Sequence, residues 1–472
     1  MLAALAVSGC TLTDTLPKNS QQNFSSSWVR ADDPNAEIGK REHPLVLAKY
    51  GGEYRDRHAE GLIAQVVGRL VAVSQDKNQL FRITILNSPK VNAFALPGGY
   101  LYVTRGLLAL ANDSSELAGV IAHEMAHVAA NHGILRNEKQ RSVEVGTEVV
   151  SEVLGNSVAG QVAKAANQIR LAEFSKEQEL QADEAGIRML AEAGYDPHGA
   201  ARFLQTMQAY QALMSQADSR FGDISFLSSH PATPERIEKA RRQARGYGAP
   251  GMGESGRDAY LAGIDGLVFG DSVEEGFVRD NRFAHAGLGI TFSAPDGHRM
   301  ENQATAVIVT GPDNMATRFD AAVLPRGRTL EAYLKSGWIK GLDETSISSL
   351  TVNGLPAARA EASGGEWHFV IRVLQLDRQV YRFITAGPAA STRIEAESAA
   401  IAGTFRRLGE AEKSALAPLR IRVVAVGPQD TLASLSAKMK GVQSPLRNFQ
   451  IFNGLTTGEI PPAGTKVKIV SE

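Results

Sequence analysis

The chain has 472 residues, 43% of them hydrophobic and 21% charged, with 50 Lys+Arg against 51 Asp+Glu and a formal net charge of −1. That length and apolar content predict about two to four domains with cores of their own. The balanced charge leaves no basic footprint for nucleic acid, and a single cysteine excludes an intrachain disulfide.

In chain order, the first feature is that cysteine, Cys10, at the end of Leu2-Ala-Ala-Leu-Ala-Val-Ser-Gly-Cys10. An apolar run followed by small residues is what export and signal cleavage require. Val7-Ser8-Gly9-Cys10 resembles a bacterial lipoprotein signal over residues 1–10, with Cys10 as the lipidated residue. The run is short and no Lys or Arg precedes it, so the true start can lie upstream. The expectation is an exported lipoprotein, anchored in the membrane by its lipid and facing the periplasm. Thr11 in place of an Asp after the cysteine favours the outer membrane over the inner one. Residues 11–39, rich in Ser, Asn, Gln and Asp, read as a flexible tether.

Residues 92–104, Asn-Ala-Phe-Ala-Leu-Pro-Gly-Gly-Tyr-Leu-Tyr-Val-Thr, predict a strand, a Gly-rich turn and a second strand. An extended peptide could add to such an edge through main-chain hydrogen bonds, which makes Asn92, Ala93 and Phe94 candidate substrate-binding residues. An ordinary buried hairpin, with Phe94, Leu96, Leu101 and Val103 as core, is the competing reading.

The apolar run Leu117–Ala130 carries His123-Glu124-Met125-Ala126-His127. On a helix of about 3.6 residues per turn, positions i and i+4 share a face, so both imidazoles can reach one ion. Glu124 lies beside that ion, placed to act as general base on a metal-bound water. A catalytic zinc needs a third protein ligand and an open position. His132 is roughly 140° round the helix from His127 and reads as a non-ligand. Ala130 and Gly133 exclude the variant that continues as H-x-x-G-x-x-H.

The better candidate is Glu179, on a second predicted helix whose stripe is Leu180, Ile187, Leu190 and Ala191, with Gly194 after its end. Glu179 and Asp183 share a face, so Glu179 could ligate the metal while Asp183 accepts the free N–H of a ligand histidine. A solvated acidic face is the alternative, and Glu177 and Glu184 are assigned to one.

These residues resemble the gluzincin metalloendopeptidase family of the CAAX prenyl protease, HtpX and BepA type, defined by H-E-x-x-H followed by E-x-x-A-D. Residues 92–108 are similar to the family's strand and hairpin before the metal helix, and Ser229-His230-Pro231 through Arg236-Ile237 to its H-P-x-x-x-x-R-I segment. The resemblance spans roughly residues 40–245. It implies one Zn2+ per chain on His123, His127 and Glu179, with Glu124 catalytic and Asp183 supporting. It also implies that His230 either donates to the oxyanion or closes on the metal as a fourth ligand, and that Arg236 anchors its loop.

Ser142–Arg170 alternates Ala, Val and Gly with charges at Glu144, Glu148, Glu152 and Lys164, too many for a membrane span; a helix pair gating the cleft is expected. The Gly-rich stretch 246–256 predicts the end of the peptidase domain. Beyond it, strand patterns at 288–292, 306–309, 367–373 and 380–384 and helical patterns near 330–340 and 391–408 predict an α+β domain of unknown role. His285, His298 and His368 have no ligand spacing there. Residues 422–435, 449–455 and 462–469 read as strand, helix, helix and strand, with D-T-L and N-G-L signposts, and resemble a LysM module, which binds peptidoglycan or chitin.

The expected architecture is thus multidomain: signal 1–10, tether 11–39, a mainly α-helical zinc peptidase domain with a small β-sheet over 40–247, an α+β domain over 258–410, and a βααβ LysM-like module over 420–472. The expected function is a zinc metalloendopeptidase acting on unfolded or misassembled envelope proteins, with peptidoglycan contact through the last module. A chaperone that holds clients with little cleavage, or an envelope scaffold, are the alternatives.

Overall fold

The computed structural model describes residues 36–132, 174–216, 226 and 229–472. Among them, 36–132, 174–272 and 417–472 belong to one compact unit and 273–416 to a second. Cys10, the tether up to residue 35 and the segment 142–170 lie outside the described residues.

The first unit opens with α1 (Ala36–Lys49), which begins inside the stretch read as tether. Next comes α2 (Arg57–Val73), where the Asp56 carboxylate accepts the N–H groups of His58 and Ala59 and so caps two donors that the first turn leaves without partners. Strands β1 (Arg82–Leu86), β2 (Ala93–Leu96) and β3 (Tyr100–Thr104) form a sheet of order β1-β3-β2, with β1 parallel and β2 antiparallel to β3. The β2–β3 turn uses Gly98 and Gly99 at φ 85 and 78; β2 is an edge strand. Helices α3 (Arg105–Leu110), α4 (Ser114–Ala129), α5 (Lys176–Glu192), α6 (Gly199–Gln216), α7 (Pro234–Arg245) and α8 (Arg257–Ile264) follow, then the short β4 (Val268–Phe269).

Helix α4 is the centre of this unit: every residue from Ser114 to His127 is buried. Its apolar residues occur on all sides, which is what a helix without a solvent face requires. It packs against α5, α6 and β2.

In the second unit, β5 (Phe277–Arg279), β6 (Arg282–His285) and β7 (Ile290–Ser293) precede β8 (Arg299–Gln303), β9 (Ala306–Thr310) and β10 (Ala316–Val323). Then come α9 (Leu330–Leu334), β11 (Leu342–Val352), β12 (Leu355–Gly364), β13 (Trp367–Leu376), β14 (Gln379–Pro388), α10 (Ile394–Ala402), β15 (Arg406–Arg407) and α11 (Glu410–Ser414). A seven-stranded antiparallel sheet has the order β11-β12-β13-β14-β10-β9-β8, and a four-stranded one β15-β7-β6-β5. Successive residues supply opposite faces of the large sheet. Ala357, Leu374, Tyr381 and Phe383 join Phe283 and Phe292 of the small sheet, while Ala358, Val373 and Val380 pack under Leu330 and Leu334 of α9. The helix expected over 330–340 stops after Leu334, because Ser336-Gly337 follows with Gly337 at φ 86. The one expected over 391–408 ends at Ala402, after which Arg406 and Arg407 pair with β7.

The chain then returns to the first unit as β16 (Leu419–Ala425), α12 (Leu432–Ser436), α13 (Pro445–Phe452) and β17 (Lys466–Ser471). β16 lies between β17 and β4. These elements share one core with the helices above: Ile421, Leu435, Phe449, Phe452, Val467 and Val470 belong to the same apolar cluster as Leu107, Leu117 and Ile121. The fully buried Lys468 Nζ donates to the carbonyls of Ala109 at 2.8 Å, Leu110 at 3.3 Å and Ala111 at 2.5 Å. Three acceptors match the three N–H donors that a charged lysine offers, while burial pulls the Lys468 pKa well below its ordinary value. They lie at the end of α3, where free carbonyls favour a cation. No helix among the described residues is long and apolar enough to cross a membrane.

A chain ending at Leu416 loses all these apolar side chains, each worth about 1.5–3 kcal/mol of burial, against a net stability of about 5–15 kcal/mol for a typical domain. The expected result is loss of cooperative thermal unfolding in residues 36–272; a shortened chain that still melts as one sharp transition overturns this.

Candidate metal centre

Helix α4 starts at Asp113, whose carboxylate accepts the Glu116 N–H at 2.8 Å and the Ser115 hydroxyl at 2.7 Å. Arg202 of α6 bridges Asp113 at 3.1 Å and Asp196 at 2.6 Å, fixing the axial position of α4. Two turns later His123 and His127 project from one side, their Nε2 atoms 3.0 Å apart.

Helix α5 begins with a capping box between Ser175 and Gln178. It crosses α4 closely: a Cβ on Gly186 would stand 3.2 Å from the backbone nitrogen of His123. That approach brings Glu179 and Asp183 to the histidines. Glu179 Oε1 is 3.3 Å from His127 Nε2, Glu179 Oε2 is 3.6 Å from His123 Nε2, and His123 Nδ1 donates to Asp183 Oδ1 at 3.0 Å.

The third contribution comes from the segment before α7. His230 Nδ1 lies 2.8 Å from Glu179 Oε1 and 3.2 Å from His123 Nε2, and its Nε2 is 3.5 Å from Glu124 Oε1. Thr233 caps α7 with Pro234 as the first helical residue, which sends Arg236 back toward α5. Its Nε and Nη2 fork the two oxygens of Asp183 at 2.9 and 2.7 Å, and Nη1 reaches Glu179 Oε2 at 2.6 Å and the Pro231 carbonyl at 2.9 Å. Planar bidentate pairing of this kind fixes both partners' orientation.

His123, His127, Glu179 and His230 each offer one donor atom, all within 4.8 Å of one another. Ligand bonds of about 2.0–2.2 Å around a four-coordinate ion place donors roughly 3.3–3.6 Å apart, and the separations above run from 2.8 to 3.6 Å. The electrostatics agree. Burial opposes charge on His123, but hydrogen bonds to Asp183 and Glu179 raise its pKa to about 10, so the cluster favours a positive charge at that point. Burial lowers His127 to about 3, a neutral ring. Burial alone would lift the two carboxyls; hydrogen bonds from His123 and Arg236 instead hold Asp183 at about 2, and the surrounding histidines, His123 foremost, hold Glu179 well below the usual carboxylate range. A neutral His127 and an ionised Glu179 are the donor states a divalent cation needs, and such a cation would replace the positive charge that the carboxylates favour at His123.

The structure thus brings His123, Glu124, His127, Glu179, Asp183, His230 and Arg236 together. Asn92, Ala93 and Phe94 are not among the donor residues. Asn92 is buried, its side chain donating to the Tyr50 hydroxyl at 2.9 Å. The Phe94 ring stacks on Tyr102 at 4.8 Å and lies 5.6 Å from Tyr50, so its side chain is used in a core. β2 is an edge strand that packs against α4. Glu184 and Glu177 are outside the cluster. Sequence reasoning passed over two aromatics, Phe174, stacked 4.0 Å from the His127 ring, and Phe226, 4.6 Å from His230; nothing in their spacing marks them.

Histidines one turn apart, a carboxylate from a second helix and an adjoining glutamate are the constellation of a metallopeptidase. Residues 57–244 match the family model described as Peptidase family M48. The chain is 30% identical over 221 residues to the mitochondrial metalloendopeptidase OMA1 of Schizosaccharomyces pombe, covering 45% of this chain and 63% of that protein. It is 29% identical over 203 residues to the beta-barrel assembly-enhancing protease of Escherichia coli K12, covering 41% and 40%. To the Arabidopsis thaliana OMA1 it is 33% identical over 160 residues, covering 33% and 30%. The match therefore spans less than two thirds of each relative's length.

Gly186→Val is expected to wedge α5 away from His123, costing about 1–3 kcal/mol as overpacking does and lowering divalent-metal affinity. Calorimetric melting and a chelator competition measure the two; unchanged values in both would show that the close approach is dispensable.

Proposed function

We propose that this chain is a zinc-dependent metalloendopeptidase that hydrolyses peptide bonds in unfolded or misassembled proteins of the bacterial envelope. The observation that carries the reading is the convergence of His123, His127 and Glu179 with Glu124 on the same helix, one residue from a ligand. An imidazole and carboxylate donor set suits zinc among the available metals. A bound zinc supplies Lewis acidity, polarising the scissile carbonyl and lowering the pKa of water to about 7.

The remaining steps belong to the chain. Glu124, 3% exposed, takes the proton of the attacking water and passes it to the departing amine. The main chain of β2 aligns an extended substrate by adding a strand. Asp183 holds the proton of His123 on Nδ1, and Arg236 holds Asp183 and Glu179 in register. Of the two roles open to His230, the position of its Nδ1 among the donor atoms supports the closed one, in which it occupies the fourth position and restrains turnover.

The printed name of the Escherichia coli relative, a beta-barrel assembly-enhancing protease, supports an envelope quality-control role. Anchoring through a lipidated Cys10 on the periplasmic side of the outer membrane remains part of the proposal, as does peptidoglycan contact by residues 420–472. A pull-down with purified peptidoglycan tests the latter.

Glu124→Gln is expected to keep stoichiometric zinc and to lose at least about 100-fold in casein hydrolysis, the scale of general-base catalysis. Retained cleavage rejects the mechanism, whereas a parent chain that holds unfolded clients but never cuts them favours the chaperone alternative. His230→Ala is expected to keep the metal and raise turnover several-fold; an unchanged rate defeats a role for that residue.

A further inference from the structure

The two ligand imidazoles of the site are held in different ways. His123 donates its Nδ1–H to the carboxylate of Asp183. Among the described residues His127 meets a second imidazole on that side: its Nδ1 lies 2.9 Å from Nδ1 of His132. On a continuous helix His132 would point away from His127. The helix instead ends at Ala129, and Asn131 at φ 55 turns the chain back. Asparagine tolerates this left-handed conformation better than most residues. The result is a buried His132, 3% exposed, with Nε2 3.3 Å from Gln181 Oε1 on α5.

We propose that His132 is a positioning residue for the metal centre, accepting the Nδ1–H of His127 and so presenting the Nε2 lone pair of that ring to the ion. The inference rests on the metallopeptidase reading above. The proton count follows from the partners. Gln181 Oε1 is a carbonyl oxygen and accepts, so His132 carries its proton on Nε2 and offers a lone pair at Nδ1. Two lone pairs 2.9 Å apart would repel, so the proton between the rings sits on His127 Nδ1. His127 Nε2 is then unprotonated, the state in which it can ligate. With the opposite tautomers, His127 would aim an N–H at Glu179 and could not bind the ion. The Phe174 ring, stacked 4.0 Å from His127, confines the imidazole plane. A neutral imidazole is a weaker acceptor than a carboxylate. The relay Gln181–His132–His127 therefore orients its ligand without adding a third negative charge beside Glu179 and Asp183.

The test is zinc affinity of the full chain by chelator competition, with the visible spectrum of the cobalt-substituted protein as a readout of ligand geometry. His132→Phe keeps the ring's bulk without the acceptor and is expected to bind zinc about 10–100-fold more weakly, as loss of such partners does elsewhere. His132→Gln, whose amide oxygen can accept, is expected to recover most of the loss and the parent cobalt spectrum. Gln181→Leu, at an exposed position, frees the His132 tautomer and is expected to cost several-fold; it serves if His132→Phe does not fold. Parent-like zinc affinity in His132→Phe, or in Gln181→Leu where His132→Phe is unfolded, overturns the proposal while leaving the metallopeptidase reading intact. A parent chain that takes up no zinc overturns both.

Discussion

The site depends on how closely α4 and α5 approach one another. Gly186 has no side chain where α5 passes His123, and only that gap lets a carboxylate on one helix come within 3.3 Å of an imidazole on the other. Arg236 then balances the charge that the approach concentrates. Two carboxylates, 2% and 8% exposed, would repel and strand each other in a buried site. A guanidinium forked across both turns that cost into a fixed geometry. Removing one partner from such a cluster leaves a buried charge without compensation, so its members act as a unit.

Rigidity around the cluster comes from the same crossing. The first turn of α4 is tied by Asp113, Ser115 and Glu116 to Arg202, and the loop ahead of it is held by Lys468 Nζ on three carbonyls. Glu116 is 2% exposed, and burial pushes its carboxyl up to about 7, with Asp113 adding to the rise. Residues far apart in the chain, 113, 202 and 468, thus serve one element. The C-terminal strands are part of the scaffold that keeps α4 in place, whatever else their surface binds.

Much of the candidate site was legible because helical spacing is a local property. His123 and His127, one turn apart, share a face on any α-helix, and the same holds for Glu179 and Asp183. The strands at 367–373 and 380–384 were legible for a similar reason: runs of Val, Ile and Phe need two covered faces. Strand β11, Leu-Asp-Glu-Thr-Ser-Ile-Ser-Ser-Leu-Thr-Val, was passed over because it lies at the edge of its sheet with much of its surface exposed and carries no apolar run. His132 is outside the donor group, as helical spacing predicts, but its contact with His127 was not legible, because Asn131 reverses the chain where a continuous helix would carry His132 away.

The sequence by itself determined which residue types were available for chemistry and which pairs would share a helix face, since both follow from covalent order and the 3.6-residue period. Tertiary structure decided that 123, 179, 230 and 236 meet in one buried volume, and that Phe94 serves a core. It also decided that the last strands complete the core around α4. Those outcomes turn on distances between segments separated by tens to hundreds of residues, which only the packing of helices at a glycine and the sharing of one apolar core can set.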